Sequence, residues 1–204
     1  MEEFNLSKVH FDVLREVGNI GAGNAVTSLS KMLERKVDME VPVVSMVNFA
    51  DVSNFIGGPE NIVAGILINL SADVNGIMMF LTEYKHCRPL IEELFGSTGL
   101  IGEGEGLNDV VLSALQEVGN ILASAYLSSL SDLINKKILL SAPSICIDMA
   151  GAILSVPAIE FSKVADQVLL IESVFKTAVM DISGYFILVP EHDSFKTIFT
   201  SLGV

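Results

Sequence analysis

The sequence predicts a mixed α/β domain of the α+β class, in which one structural unit is present twice. Half of the 204 residues are hydrophobic, which supplies a sizeable core. The stretch that begins at Arg15 reappears 101 residues later at Gln116, and nine of the sixteen aligned positions are identical. An internal repeat of this kind indicates a duplicated unit. We therefore expect one domain over residues 1–204, with a first half at 6–96, a second half at 107–204 and a glycine-rich connector at 97–106.

Each half predicts the same order of elements: a long helix, strands and a short final helix. Ser7 and Asn108 are good N-terminal caps, because their side chains can accept hydrogen bonds from the first helical turn. The helices that follow these caps are expected to end near Arg35 and Asn135. Apolar segments then predict strands at 37–47, 62–70, 76–81, 138–147, 167–175 and 184–189, and final helices at 86–95 and 193–202.

The net charge of −13 makes nucleic acid and anionic membrane surfaces poor partners, because both would repel this chain. The N-terminal residues lack the basic and apolar pattern of a secretory signal, and the longest apolar stretches are too short or too interrupted to span a bilayer. We therefore expect a cytoplasmic protein without membrane insertion. Cys87 and Cys146 are expected to be reduced thiols, with a disulfide between them as the alternative.

Both long helices carry a polar stripe on the side that faces away from the expected core. Each stripe places one carboxylate and one amide three positions apart. The stripes consist of Asp12, Glu16, Asn19 and Gly23 in the first half and of Ser113, Glu117, Asn120 and Ser124 in the second. The side of the first helix that is expected to face the core comprises Val13, Leu14, Val17, Ile20 and Gly21.

Polar residues on the exposed side of a helix are common, and a single stripe of this kind carries little functional information. Here the Glu and the Gly-Asn pair occur in both copies. Asn is a poor residue in a helix interior, and Gly costs about 1 kcal/mol relative to Ala. Selection for stability alone would have replaced them in at least one copy. Their presence in both copies therefore favours a functional site over an ordinary solvated face.

The spacing of these residues follows one pattern twice: Asp or Ser, three residues, Glu, two residues, Asn, twenty-two residues, Pro. The matching residues are Asp12, Glu16, Asn19 and Pro42 in the first copy, and Ser113, Glu117, Asn120 and Pro143 in the second. By this pattern, and over nearly its whole length, the chain resembles the CheC-type chemotaxis phosphatases of the CheC/CheX/FliY family.

The resemblance implies a fold with pseudo-two-fold symmetry, in which the two motif helices pack side by side on a largely antiparallel sheet. It also implies hydrolysis of the aspartyl phosphate on a phosphorylated CheY-type response regulator. Asn19 and Asn120 would orient the attacking water, and Glu16 and Glu117 would dock the regulator by pairing with its active-site lysine. A neutral amide suits this task, because it both donates and accepts, and phosphoryl transfer depends mainly on positioning and charge stabilisation.

No cofactor or metal is expected on this chain. By the same resemblance the regulator supplies the phosphoaspartate, Mg²⁺ and a lysine, so no metal cage, nucleophile or P-loop is needed here. The histidines at positions 10, 86 and 192 lack the i, i+4 spacing of a zinc site. The GNIGAG stretch has the wrong order for a dinucleotide-binding G-x-G-x-x-G motif and lies within a predicted helix.

Two non-catalytic interpretations stay open. One is an adaptor role, because the resemblance implies CheD, a receptor glutamine deamidase, as a further partner. The other is a binding module like those of the flagellar switch, against which the presence of both motifs argues. The unusually apolar segment around Asp148 is a candidate partner-binding surface, although a plain core strand and helix is the favoured interpretation of it.

Overall fold

The computed structural model describes residues 8–34, 36–40, 42–95, 107–160, 167–176 and 181–202. The expected cap at Ser7 and the expected connector at 97–106 lie outside these residues. The helices are α1 (Lys8–Leu33), α2 (Val52–Phe55), α3 (Tyr84–Phe95), α4 (Asp109–Ile134), α5 (Ala150–Glu160) and α6 (His192–Ser201). The strands are β1 (Asp38–Met39), β2 (Val43–Asn48), β3 (Ile62–Ala72), β4 (Gly76–Glu83), β5 (Ile138–Leu140), β6 (Ser144–Met149), β7 (Gln167–Lys176) and β8 (Asp181–Pro190).

The repeat seen in the sequence is also a repeat of structure. Helices α1 and α4 have 26 residues each, and their bounds differ by the same offset as the sequence repeat. Asn108 caps α4 as expected, because its side-chain oxygen accepts a hydrogen bond of 3.0 Å from the Val111 backbone N–H. Both helices are followed by a residue in the left-handed conformation, Glu34 (φ 51°) after α1 and Asn135 (φ 49°) after α4. A left-handed residue commonly ends a helix.

The strands form one eight-stranded sheet in the described part of the chain, and every pairing in it is antiparallel. At its centre β4 pairs with β8, and Phe80 lies opposite Phe186 with the ring centroids 4.8 Å apart. The outer strands are exchanged between the halves. Strands β1 and β2 of the first half pair with β7 of the second, whereas β5 and β6 of the second half pair with β3 of the first.

The sheet has a hydrophobic core on each face, because successive side chains of a strand point to opposite sides. On β4, Met78 and Phe80 face the core beneath the long helices, whereas Met79 and Leu81 face the core on the other side. The first core also contains α3 and α6, and the second is covered by α2 and α5. The expected antiparallel sheet with two long helices on it is therefore confirmed.

The expected single strands at 37–47 and 138–147 are each two shorter strands. β1 and β2 are separated by residues 40–42, and β5 and β6 by residues 141–143. Pro42 and Pro143, which fall within these two expected strands, lie immediately before β2 and β6 instead. Proline has no N–H to donate to a sheet, so the pairing resumes only after it.

Helix α4 is long and apolar enough to span a membrane by length and composition, but half of that stretch is buried within the protein. A buried core helix can have the same length and apolar composition as a helix that spans a membrane. Its Leu115, Val118, Leu122 and Leu130 are at most 4% exposed in the core between the helices and the sheet. The hydropathy of α4 is therefore explained by packing.

Candidate functional site

The two motif helices lie directly against each other. A Cβ atom placed on Gly21 of α1 would lie only 3.0 Å from the Cα atom of Tyr126 on α4. The side-chain nitrogen of Asn24 donates a hydrogen bond of 3.1 Å to the Ser129 hydroxyl across the same interface. Both repeated stripes therefore belong to one helical layer, and the side-by-side packing expected from the sequence is confirmed.

Each motif helix is also in close contact with the sheet beneath it. A Cβ on Gly18 would lie 2.9 Å from Val44 Cγ2 and 3.5 Å from Pro42 Cγ, and a Cβ on Gly119 would overlap with the Ile66 side chain. Packing alone therefore explains why glycine precedes the motif asparagine in both copies. The repeated glycine is therefore not evidence for function. Only the repeated Glu and Asn favour a functional site.

In the first copy, the stripe is accessible as the helical wheel indicated. Asp12 and Glu16 are exposed, and Asn19 is partly exposed. The Asn19 Oδ1 atom is buried and accepts no hydrogen bond from the described residues. Gly23, one turn further along, borders open space, with no atom within 4 Å of a Cβ built on it. Among the described residues, therefore, no hydrogen bond to its oxygen holds the Asn19 amide in place.

In the second copy, the equivalent residues have the same exposure but different surroundings. Ser113 and Glu117 are exposed, and Asn120 is partly exposed. The Gln116 side chain donates a hydrogen bond to the Pro143 carbonyl oxygen, which ties the motif proline to the motif helix. The first copy has Arg15 at the position of Gln116, and Arg15 is exposed.

One expectation for the motif helix is wrong. Ile20, expected in the core beside Leu14 and Val17, is 43% exposed, whereas those two residues are 3% and 6% exposed. Ile20 directly follows Asn19, so an apolar side chain lies beside the motif amide at the surface. Its counterpart Ile121 is partly buried against the core. The helical wheel could not separate the two, because both residues lie at the margin of the apolar side.

The structure places Asp148 on the outermost side of the sheet. It lies in β6, whose described partner is β3, and its side chain is exposed. The Asp148 Oδ1 atom accepts a hydrogen bond of 2.7 Å from the Met149 N–H. Ile62 and Met149 face each other across the two strands and are 43% and 44% exposed. The segment is a strand and a helix, as favoured from the sequence, but Asp148 itself is at the surface.

Among the described residues there is no group of three or more His, Cys, Asp or Glu side chains that could hold a metal ion. Asn120 lines a groove together with residues of α1, a feature that was not predicted from the sequence. No pattern within either copy could reveal this groove, because it arises from the packing of the two copies.

The CheC-like family model matches residues 9–46 and 110–147, the two motif helices with the strands that follow them. The chain is 35% identical to the CheY-P phosphatase CheC of Bacillus subtilis (strain 168), in an alignment that covers 100% of this chain and 99% of that protein. The chain belongs to the CheC-like family. A further relative of this CheC-like chain is the flagellar motor switch phosphatase FliY of the same organism, with 30% identity over 69% of this chain and 36% of that protein.

Solved structures share the fold of this CheC-like chain. The crystal structure of Thermotoga maritima FliY matches with a TM-score of 0.73 and 24% identity, and the match covers 97% of this chain and 98% of that one. The FliM middle domain of H. pylori matches with a TM-score of 0.68 and 12% identity, over 96% and 99% of the two chains. At these identities the likeness concerns the fold alone.

Proposed function

We propose that this chain is a cytoplasmic phosphatase that hydrolyses the aspartyl phosphate of a CheY-type response regulator in chemotaxis. The observation that carries the proposal is the pair of accessible Glu and Asn side chains, three positions apart, on both of two adjacent helices. The full-length relative whose name is CheY-P phosphatase supports the same activity.

In the proposed mechanism, Asn19 and Asn120 orient the water that attacks the phosphorus atom. A side-chain amide can accept a hydrogen bond from that water and donate one to a phosphoryl oxygen. In the free chain no hydrogen bond from the described residues satisfies Asn19 Oδ1. Insertion of this amide into the regulator requires the side chain to turn its buried oxygen outwards. That movement breaks no hydrogen bond from the described residues at the oxygen, and the acceptor then gains a partner, which favours binding.

Glu16 and Glu117 dock the regulator in this proposal. Both carboxylates are exposed and lie one turn before the asparagine, on the same side of the helix. They would pair with the lysine of the regulator's active site, and this ion pair would hold the amide in line with the phosphoryl group. Four further residues support this arrangement. Asp12 and Ser113 extend the exposed stripes. Pro42 packs beneath α1 near Gly18, and the Pro143 carbonyl oxygen accepts a hydrogen bond from Gln116 of α4.

The chemistry needs no cofactor on this chain. The regulator would contribute the phosphoaspartate and its bound Mg²⁺, and this chain would contribute positioning. Correct positioning of a nucleophile is worth orders of magnitude in rate.

The decisive experiment follows phosphate release from a phosphorylated CheY-type regulator in the presence of Mg²⁺. Asn19→Ala and Asn120→Ala should each reduce the acceleration, and the double variant should abolish it, because no amide remains to orient water. Asn54→Ala is the matched control, since this exposed asparagine lies on α2 at the opposite face of the sheet. Circular dichroism checks that each variant is folded. A double variant with wild-type activity would refute the catalytic roles.

A second role as an adaptor for CheD is favoured by one observation. Asp148 is exposed beside the exposed apolar pair Ile62 and Met149, on a strand with described pairing on one side. We infer that this surface binds CheD, and Asp148→Lys should then weaken CheD binding measured by calorimetry while phosphate release stays unchanged. Normal CheD binding by this variant would exclude the surface.

A further inference from the structure

A groove of about 500 Å³ runs between α1 and α4 on the solvent side of the helical layer. One of its lining residues is the proposed catalytic residue Asn120, which belongs to the second copy. The opposite wall comes from the first copy. The residues that line it are Asn24, Thr27, Ser28 and Lys31 from α1, and Asn120, Ile121, Ser124, Ala125 and Ser128 from α4.

Lys31 is the only charged residue among those that line this groove. Its side chain is exposed and forms no ion pair with a carboxylate of the described residues. Lys31 also lines a neighbouring groove with Glu34, Lys36 and Asp38, and there Asp38 is paired with Lys36 at 2.9 Å. The ammonium group of Lys31 is therefore available to a partner that enters beside Asn120.

The two copies differ in charge at this position. The residue of α4 that corresponds to Lys31 by the repeat offset is Asp132, and both residues are exposed. Asp132 therefore carries the opposite charge to Lys31 at the equivalent position of the repeat. This difference in sign distinguishes two sites that share the same Glu and Asn.

The expected partner surface presents both the lysine that pairs with Glu117 and an acidic rim around the phosphorylated aspartate. A phosphorylated aspartate and the carboxylates that hold Mg²⁺ would approach a chain whose net charge is −13. Like charges on two partners slow association and weaken binding, and a single cation at the contact reduces that repulsion. A lysine beside the catalytic amide of the second site is therefore suited to the acidic rim of the regulator's active site.

We propose that Lys31 of the first copy is a docking residue of the second site, where it contacts the acidic rim around the phosphorylated aspartate of the regulator. This inference rests on the proposed function. It makes the second site a composite of both copies: Glu117 and Asn120 come from α4, and the docking cation comes from α1.

The test measures the two sites separately. Glu16→Lys blocks docking at the first site and Glu117→Lys blocks it at the second, so each background reports one site. In the Glu16→Lys background, Lys31→Gln should raise KM for the phosphorylated regulator by about threefold to tenfold and leave kcat unchanged, because the residue acts in association. The increase should shrink at high salt. The affinity for the regulator carrying beryllofluoride on its aspartate should fall by the same factor.

Lys196→Gln is the matched control, since it makes the same change in net charge at an exposed position on α6, away from the groove. An equal effect of Lys31→Gln in both backgrounds, or an equal effect of Lys196→Gln, would overturn the docking role. An unchanged KM and affinity in the Glu16→Lys background would also overturn it. The binding measurement separates the two proposals: a wild type that binds the beryllofluoride regulator through Lys31 without accelerating phosphate release would refute the phosphatase and retain the docking residue.

Discussion

The hydroxyl oxygen of Tyr126 on α4 lies 2.9 Å from the hydroxyl oxygen of Ser173 on β7, and the two residues are 2% and 0% exposed. The Tyr126 ring also packs on Phe186, with the ring centroids 4.6 Å apart. The same ring limits how closely Gly21 of α1 can approach. Tyr126 thus joins the second motif helix to the sheet and fixes its separation from the first.

Removal of this hydroxyl should destabilise the fold. Tyr126→Phe leaves Ser173 without its partner in the core, and an unsatisfied buried hydroxyl costs about 1–3 kcal/mol. The free energy of unfolding, measured with urea, should fall by that amount. The double variant Tyr126→Phe, Ser173→Ala should recover part of the loss, because no polar group is then left unpaired. A double variant less stable than either single variant would contradict this explanation.

The motif glycines should respond to substitution according to their surroundings. Gly119→Ala should destabilise the protein by about 1–3 kcal/mol, because the new methyl group overlaps with Ile66 in a packed core. Gly23→Ala should instead stabilise it by about 0.5–1 kcal/mol, since the position lies within α1 and borders open space. Urea unfolding of each variant measures whether its free energy of unfolding falls or rises relative to the wild type. Equal effects would mean that the approach of α4 to the sheet does not depend on Gly119.

Stability should decline in alkaline solution because two buried acids resist ionisation. Burial raises the pKa of the Cys87 thiol from 9.0 to about 12 and that of the Tyr126 hydroxyl from 10.0 to about 12. The unfolded chain releases these protons first, so their contribution is fully present below about pH 9 and is lost as the pH rises towards 12. Each group can contribute a slope of up to about 1.4 kcal/mol per pH unit.

The free energy of unfolding should therefore fall between pH 9 and 12, and Cys87→Ala should reduce that slope. Cys146→Ala is a comparison and not a blank, because burial and the nearby Asp148 carboxylate also raise the pKa of this more exposed thiol. Urea titrations at several alkaline pH values measure the slope. If both variants keep the wild-type slope, the thiol of Cys87 does not contribute to the pH dependence.

The local elements of this fold could be predicted because they depend on local patterns. The strand expected at 62–70 is Ile62–Ala72, and the short helices expected at 86–95 and 193–202 begin at Tyr84 and His192. The polar stripes and the Asn108 cap follow from helix periodicity and capping chemistry in the same way.

Features that depend on distant residues could not be predicted from one copy of the repeat. Nothing in β2 indicates that its partner is β7 of the other half, because strand pairing depends on the assembled core. Ile20 has the hydrophobicity of a core residue, but it is 43% exposed in the assembled fold. Lys31 lies twelve positions after Asn19 in the same helix, and only the packing of α1 against α4 brings it into a groove with Asn120.

The exchanged outer strands predict that neither half folds alone into the same sheet. A fragment of residues 6–96 would lack β5 and β6, which cover the free edge of β3. We expect each fragment alone to have reduced strand content by circular dichroism, or to associate with itself. An equimolar mixture of fragments 6–96 and 107–204 should recover the spectrum of the full chain. Two fragments with native spectra when separate would contradict this expectation.

This exchange has a genetic consequence. If the proposed roles hold, a point substitution can inactivate either site without disturbing the core, since none of Glu16, Asn19, Glu117 and Asn120 is fully buried. Deletion of a whole copy is different, because it removes the strands that complete the other copy's sheet. Descendants of such a gene can therefore lose one site by mutation and keep the inactive copy as scaffold, but they cannot return to a single unit unless two such units assemble.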